Sequence, residues 1–344
     1  MRELKIEGTS GDSTLYIGES LQNLKDYIPS AKTVIVTDGN VKHLYHKDFP
    51  AAEIIEIGMG EKIKNLDTVR MLYEKLIELE VDRSFFIVGI GGGIVCDITG
   101  FVASTYLRGV RFGFVSSTLL SQVDASVGGK NGVNFGGYKN MVGVFSQPEF
   151  VICDMGLLKT LPKQEVLCGL AEIVKHAAIG DSALFSYLET HYEEALGLDR
   201  DVIERLVWDS VVLKSTIVNR DEKEAGERRK LNFGHTFGHA IEKTAGLRHG
   251  EAVSVGMVIA SALSEKRGYL SAEDTKRVEL LLRRLGLPTR LQLNREKVLE
   301  ALKKDKKRQS EDIHFILLQD LGHAIVERIS IKELETVMDC MLDA

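Results

Sequence analysis

Residues Ser84 to Ser117, SFFIVGIGGGIVCDITGFVASTYLRGVRFGFVSS, decide the fold class. Phe85 to Ile90 is a short apolar run, rich in aromatic and β-branched residues, that ends in Gly91, Gly92 and Gly93. Such a run bounded by glycines reads as a buried strand. The apolar segment Ile94 to Leu107 has helix length, and Val110 to Ser117 reads as the next strand. Strand, crossover helix and strand again is the pattern of a parallel sheet covered by helices.

The same pattern extends outward. Upstream stand TVIVTDG, ending at Asp38 and Gly39, then AEIIEIG, then an amphipathic helix from Asn65 to Glu80 with Leu66, Val69, Leu72, Leu76 and Leu79 on one side. Leu4 to Glu7 and Ser13 to Ile17 form a hairpin pattern. Downstream, Gly128 to Gly143 is Gly- and Asn-rich and reads as a long loop, and EFVICDM supplies a last strand. From about Met155 the pattern becomes helical, with Pro162 near a helix start. Only HFILL and HAIVERI read as strands there. The expectation is an α/β Rossmann-like parallel-sheet domain over residues 1–155 and a mainly α-helical domain over 156–344.

The bulk numbers exclude several classes. A net charge of −6 argues against nucleic acid or an acidic membrane surface as the partner. The four cysteines (Cys96, Cys153, Cys168, Cys340) show no metal or CxxC spacing and read as reduced thiols. The polar start MRELKIEGTSGDSTLYIG has no signal-peptide core, and no run reaches the ~18 apolar residues of a membrane span. A cytoplasmic protein is expected. The basic run Lys303 to Gln309 reads as a solvated helix end.

Several patterns point to chemistry. Gly89, Gly91, Gly92 and Gly93 end a strand and open a helix, where backbone N–H groups can approach a pyrophosphate. GIGGGI lacks the third glycine of GxGxxG, so a tight strand-to-helix turn is an equal reading. Asp38, at a strand end, suits ribose hydroxyls, and Asp97 lies inside the following helix. Lys130 and Lys139 bracket the glycine-rich loop, and Arg108 and Arg111 flank Gly109; fixed cations on such backbone suit a phosphate or carboxylate. Lys214 falls in the middle of an apolar helical arc, where a lysine snorkels, pairs or serves a ligand.

The densest pattern is RRKLNFGHTFGHAIEKTAGLRHGE, Arg228 to Glu251. Arg228, Asn232, His235, His239 and Glu242 follow at steps of four, three, four and three, which keeps all five on one face of a single helix. His249 lies just beyond. Glu172, Lys175 and His176 share another polar face in AEIVKH, either as a surface ion pair or as a metal carboxylate with its neighbours. Two histidines and a carboxylate with one position open make the ligand set of a catalytic zinc. By spacing, His235 and His239 are the obvious pair, although no HExxH is present and one of them can instead be an acid or base.

In combination, GGGIVCDITGFVASTYLRG, TLLSQVDASVGGKNGVN, YKNMVGVF, TLPKQEVLCGLAEIVKHAAIGD, NRDEKEAGERRKLNFGHTFGHAIE and HGEAVSVGM resemble the 3-dehydroquinate synthase family of sugar-phosphate cyclases, in family order. The resemblance implies an NAD- and zinc- (or cobalt-) dependent, phosphate-eliminating cyclase acting on a phosphorylated sugar acid. It implies metal ligands at Glu172, His235 and His249, with His239 serving substrate or proton transfer. Substrate contacts carry over to Asp124, Lys130, Asn140, Lys175, Lys214, Arg228, Asn232, His239 and Lys306. Dinucleotide contacts carry over to Asp38, Glu61, Lys64, Gly92, Gly93, Asp97, Ser117, Thr118, Lys139 and the loop lysine Lys130. Arg108 matches an arginine that the family donates across a dimer interface, which implies a homodimer. The chain departs from the family at Ser116-Ser117-Thr118, often Pro-Thr-Thr, and at Asn131, often Thr. A metal-dependent polyol dehydrogenase of the glycerol dehydrogenase type, or another cyclase of the superfamily, is the alternative.

Overall fold

In a computed structural model of the protein, the structure describes residues 1–30, 32–292, 294–303, 308–309 and 312–342. The chain divides into two compact units, Met1–Leu161 and Pro162–Ala344. The division falls six residues beyond the expected 155/156 boundary, because the short helical turn Met155–Thr160 folds with the first unit.

The first unit is built on a seven-stranded sheet. Its strands are β1 (Arg2–Gly8), β2 (Gly11–Ile17), β3 (Thr33–Asp38), β4 (Glu53–Ile57), β5 (Phe86–Gly91), β6 (Arg111–Ser116) and β9 (Phe150–Cys153), in the order β1-β2-β9-β6-β5-β3-β4. Only the β1–β2 hairpin is antiparallel. The expected parallel sheet is present, with β5 buried along its whole length as a strand covered on both faces must be. Phe86 stacks on Phe150 at 5.6 Å between ring centroids, beside Ile35, Val88 and Ile152.

Helices α1 (Gly39–Tyr45), α2 (Leu66–Glu78) and α3 (Gly93–Thr105) make the crossovers. From β3 the chain winds outward to β4, then returns past β3 to β5, β6 and β9. The winding therefore reverses between β3 and β5. Register aligns Thr37 with Ile90 and Gly91 with Ser116, so Asp38, Gly91 and Ser116 end their strands on the same, carboxyl edge. Open α/β sheets bind ligands at that edge, where the strand order reverses.

The expected loop at Gly128 to Gly143 is instead a two-stranded antiparallel hairpin, β7 (Lys130–Phe135) and β8 (Tyr138–Phe145). Gly136 and Gly137 make its turn with φ of 59° and 79°. Two positive φ values are what a two-residue hairpin turn needs, and a Gly-Gly pair supplies them without strain. Glycine and asparagine on the flanking strands mask the alternation that would have announced it.

The second unit packs α4 (Lys163–Gly180), α5 (Ser182–Thr190), α6 (Tyr192–Leu196), α7 (Arg200–Arg220), α8 (His235–Ala245), α9 (His249–Lys266), α10 (Ala272–Arg284) and α11 (Arg295–Lys303). The strand β10 (Arg308–Gln309) joins the expected hairpin of β11 (Asp312–Asp320) and β12 (His323–Ser330). A terminal helix, α12 (Ile331–Leu342), is not anticipated from the sequence. Helix α9 is buried almost all round, which its unbroken run of small and apolar residues from Ala252 to Ala262 requires. Among the described residues, no helix is long and apolar enough to cross a membrane.

Candidate functional site

The helix expected across Arg228 to Glu242 is broken. Glu227–Asn232 is a 3-10 turn, Gly234 turns left-handed at φ 76°, and α8 starts only at His235. The five polar residues therefore do not share one helical face. Only His235, His239 and Glu242 do. The break is forced by packing: a Cβ on Gly256 of α9 would stand 1.9 Å from the Gly234 carbonyl oxygen, and one on Gly234 would stand 2.6 Å from Met257. Glycine at positions 234, 238 and 256 lets α8 and α9 touch backbone to backbone.

That contact builds the candidate metal centre. His235 is the first residue of α8, His249 the first of α9, and Glu172 lies mid-way along α4. At Gly250 a Cβ would meet the Cys168 Cα at 2.5 Å, so α9 begins pressed against α4 one residue after His249. One ligand atom from each of Glu172, His235 and His249 lies within 4.8 Å of the other two. Glu172 Oε1 is 3.1 Å from His249 Nε2 and 3.5 Å from His235 Nε2. Glu172 is wholly buried, and its other oxygen pairs with the equally buried Lys175 one turn on.

The donor chemistry fits a divalent ion. His235 Nδ1 donates to the Phe233 carbonyl at 3.1 Å, since a carbonyl only accepts. That bond fixes the tautomer and leaves Nε2 as a lone pair facing Glu172. His249 turns Nδ1 toward Glu242 Oε2 at 3.7 Å and Nε2 toward Glu172. Three electron-pair donors thus converge with a carboxylate behind one of the histidines, the outer support that metal-bound imidazoles usually have. Burial alone would lower the His249 pKa, but hydrogen bonds and charge from Glu172 and Glu242 outweigh it and raise the value to about 9.

The other expected residues of the second unit lie on α4, α7, α8 and the 3-10 turn Glu227–Asn232. Lys214 is buried on α7, with 5% of its surface exposed, which removes the snorkelling alternative. Arg228 is buried and donates from Nη1 to the Glu222 carbonyl; Asn232 donates to Glu224. Asp221 accepts the backbone N–H groups of Ala225, Gly226 and Arg228 at 2.7–3.0 Å and so shapes the turn that carries Arg228. His239, exposed, keeps its ring 5.2 Å from that of His235. Lys306 lies outside the described residues.

In the first unit, Gly92 caps the 13-residue α3 without any side-chain hydrogen bond, and the first-turn N–H groups emerge at the point where the strand order reverses. A Cβ on Gly93 would stand 2.7 Å from that of Ala125, and one on Gly92 3.0 Å from Thr118. A bare helix N-terminus in a cradle that side chains would fill suits a dinucleotide pyrophosphate. Asp38 caps α1 from the end of β3, accepting from Asn40 and Val41 N–H at 2.9 and 3.0 Å. Ser117 donates its N–H to the Gly91 carbonyl at 2.9 Å. Lys64 pairs with Asp97 and donates to Asn140 Oδ1 at 2.6 Å, while Lys139 stands 4.0 Å from Glu61. Five expected ligand contacts therefore form one cluster.

Lys130 is exposed at the start of β7, Arg108 is exposed on the turn after α3, and Asp124 sits half-buried on the turn Ser121–Ala125. Asn131 is structural: it donates to the Gly129 and Ser146 carbonyls and abuts α3 at Gly100. Sequence spacing misses Asp221, Glu224 and Asn134, whose partners lie either in an irregular turn or far along the chain.

Comparison with solved structures shows which class of fold this is. The chain superimposes on 2-epi-5-epi-valiolone synthase from Streptomyces hygroscopicus subsp. jinggangensis, with NAD+ and Zn2+ bound, at a TM-score of 0.89 and 27% identity, covering 100% of this chain and 99% of that one. It matches 2-deoxy-scyllo-inosose synthase, complexed with carbaglucose-6-phosphate, NAD+ and Co2+, at 0.88 and 25% identity, covering 98% and 99%. The fold is that of the dehydroquinate synthase-like cyclases. Family models for the N-terminal and C-terminal parts of 3-dehydroquinate synthase match residues 54–168 and 169–308, and the 3-dehydroquinate synthase of Thermoanaerobacter pseudethanolicus is 41% identical over 92% of both chains. The chain belongs to the 3-dehydroquinate synthase family.

Proposed function

We propose that this chain is a carbon–oxygen lyase that converts 3-deoxy-D-arabino-heptulosonate 7-phosphate to 3-dehydroquinate and phosphate. The reaction oxidises carbon 5 transiently, eliminates phosphate, restores the reduced carbon, and closes the ring by an internal aldol addition. The observation that carries the reading is the convergence of Glu172, His235 and His249 in a member of this family. Those three residues would hold zinc or cobalt. Gly92, Gly93, Asp38, Glu61, Lys64, Asp97, Ser117, Thr118 and Lys139 would hold NAD. When bound, the ion supplies Lewis-acid polarisation of a hydroxyl and the nicotinamide supplies reversible hydride acceptance.

The rest belongs to the chain's own side chains. Lys175, Lys214 and Arg228 are buried cations, and they would bind and orient a ligand carrying a phosphate and a carboxylate. Asn232, Asn140 and Asp124 would fix its hydroxyls. His239 and Lys130 would move protons at the carbon 5 oxygen and at the phosphate. Arg108, exposed after α3, would reach a second copy, making the working form a cytoplasmic homodimer.

The test is purified protein with catalytic NAD, zinc and the heptulosonate phosphate. Phosphate release without net NADH is expected. Stoichiometric NADH would instead indicate a polyol dehydrogenase, and no phosphate release would remove the proposed reaction.

A further inference from the structure

Asn134, on β7, stands opposite an irregularity in β8. The ladder pairs Val133 with Val142 and then Phe135 with Tyr138, so Lys139, Asn140 and Met141 all face Asn134. A bulge of this kind twists its strand and re-aims the side chains it carries. Asn140 adopts φ 49°, a left-handed conformation that asparagine tolerates better than most residues.

Three polar groups of Asn134 tie that bulge to the Glu61–Lys64 segment. Its Oδ1 accepts the Asn140 N–H at 2.9 Å. Its Nδ2 donates to Glu61 Oε1 at 2.7 Å, and its backbone N–H donates to the Lys64 carbonyl at 2.8 Å. An acceptor set against an N–H and a donor set against a carboxylate fix the orientation of the amide. With the bulge so held, Asn140 Oδ1 receives Lys64 Nζ at 2.6 Å.

We infer that Asn134 is a positioning residue that locks the Glu61–Lys64 segment to the bulge carrying Asn140. The inference rests on the proposed function, in which Glu61 and Lys64 serve the dinucleotide and Asn140 the sugar phosphate. One amide then ties the two ligand sites, and loss of its bonds weakens both. Coupling of this kind is reciprocal: each ligand tightens the segment that the other needs.

The decisive variant is Asn134→Asp. It preserves shape and the acceptor for Asn140, but sets a carboxylate oxygen against Glu61. Calorimetric titration with NAD should show an affinity roughly tenfold weaker, within the usual range of site coupling. The KM for the heptulosonate phosphate should rise with it, while zinc content and unfolding temperature stay near wild type. The ratio of variant to wild-type KM should shrink between pH 8 and pH 5.5, because two facing carboxylates share a proton more readily than one alone. Asn134→Ala should weaken both ligands without that pH dependence. Wild-type affinity for both ligands, an effect on only one, or a lowered unfolding temperature with unchanged affinities would overturn the inference. Failure of the wild-type protein to release phosphate would count against the reaction instead, and the NAD titration of the two variants would still decide whether Asn134 orders the dinucleotide segment.

Discussion

Oε1 of Glu172 lies 3.1 Å from Nε2 of His249, although α4 and α9 bring these residues together from 77 positions apart. Glu172 is fully buried and shares the same oxygen with His235 at 3.5 Å. Removing one imidazole leaves too few donors for tight binding of a four-coordinate ion. His235→Ala is therefore expected to lose bound zinc and activity together, as read by metal analysis of the dialysed protein. Full metal content in that variant would refute the ligand assignment.

Lys214 tests the anion-binding side of the same unit. A methionine fills the volume of the lysine stem, whereas removing one member of a buried charge pair costs stability. Lys214→Met is expected to keep the native, cooperatively unfolding fold, yet turn over at least about 100-fold more slowly, the scale set by loss of one preorganised charge. Thermal unfolding and kcat measured on the same preparation check both halves. Near-normal kinetics would make the lysine a packing residue.

The sequence pattern was most informative where a period or an ordered motif ran unbroken. The run into Gly91–Gly93 marks β5 and α3 because burial on both faces demands continuous apolar sequence. It was least informative where tertiary contact overrides local preference. Helical spacing joined Arg228 to Glu242, but the backbone contact between Gly234 and Gly256 breaks that helix, and spacing contains no trace of a partner on another helix. For the same reason spacing favoured His235 with His239. The cluster instead takes His249, from the start of the next helix, a choice visible only through the family resemblance until α8 and α9 are packed. Asn134 escaped notice because its partner Glu61 lies 73 residues away and neither stands in a periodic pattern.

The glycine contact makes its own prediction. Gly256→Ala places a methyl group 1.9 Å from the Gly234 carbonyl, which backbone cannot yield without moving α8 away from α9. Overpacking of a rigid contact costs about 3 kcal/mol. The same displacement would separate His235 from His249. Thermal unfolding should show a clear loss of stability, and zinc affinity should fall in the fraction that remains folded. Unchanged metal affinity would mean that the two histidines tolerate wider helix spacing than proposed.

The buried thiols give the pH-dependent case. Burial pushes Cys153 up to about 12 and Cys96 higher still, so both stay protonated where an exposed thiol ionises. Unfolded cysteine titrates near 8.5, so the folded pKa is the higher one. The stabilising contribution is then fully present below about pH 8.5 and declines as pH rises toward the folded value. A thiol reagent at pH 8 should leave Cys96 and Cys153 unmodified in the native protein and modify both after denaturation, with site-resolved mass spectrometry as the readout. Stability should fall on titration from pH 9 to pH 11, and that fall should shrink in Cys153→Ala. Labelling of either cysteine in native protein at pH 8 would show that the sheet around β9 opens far more readily than its burial implies.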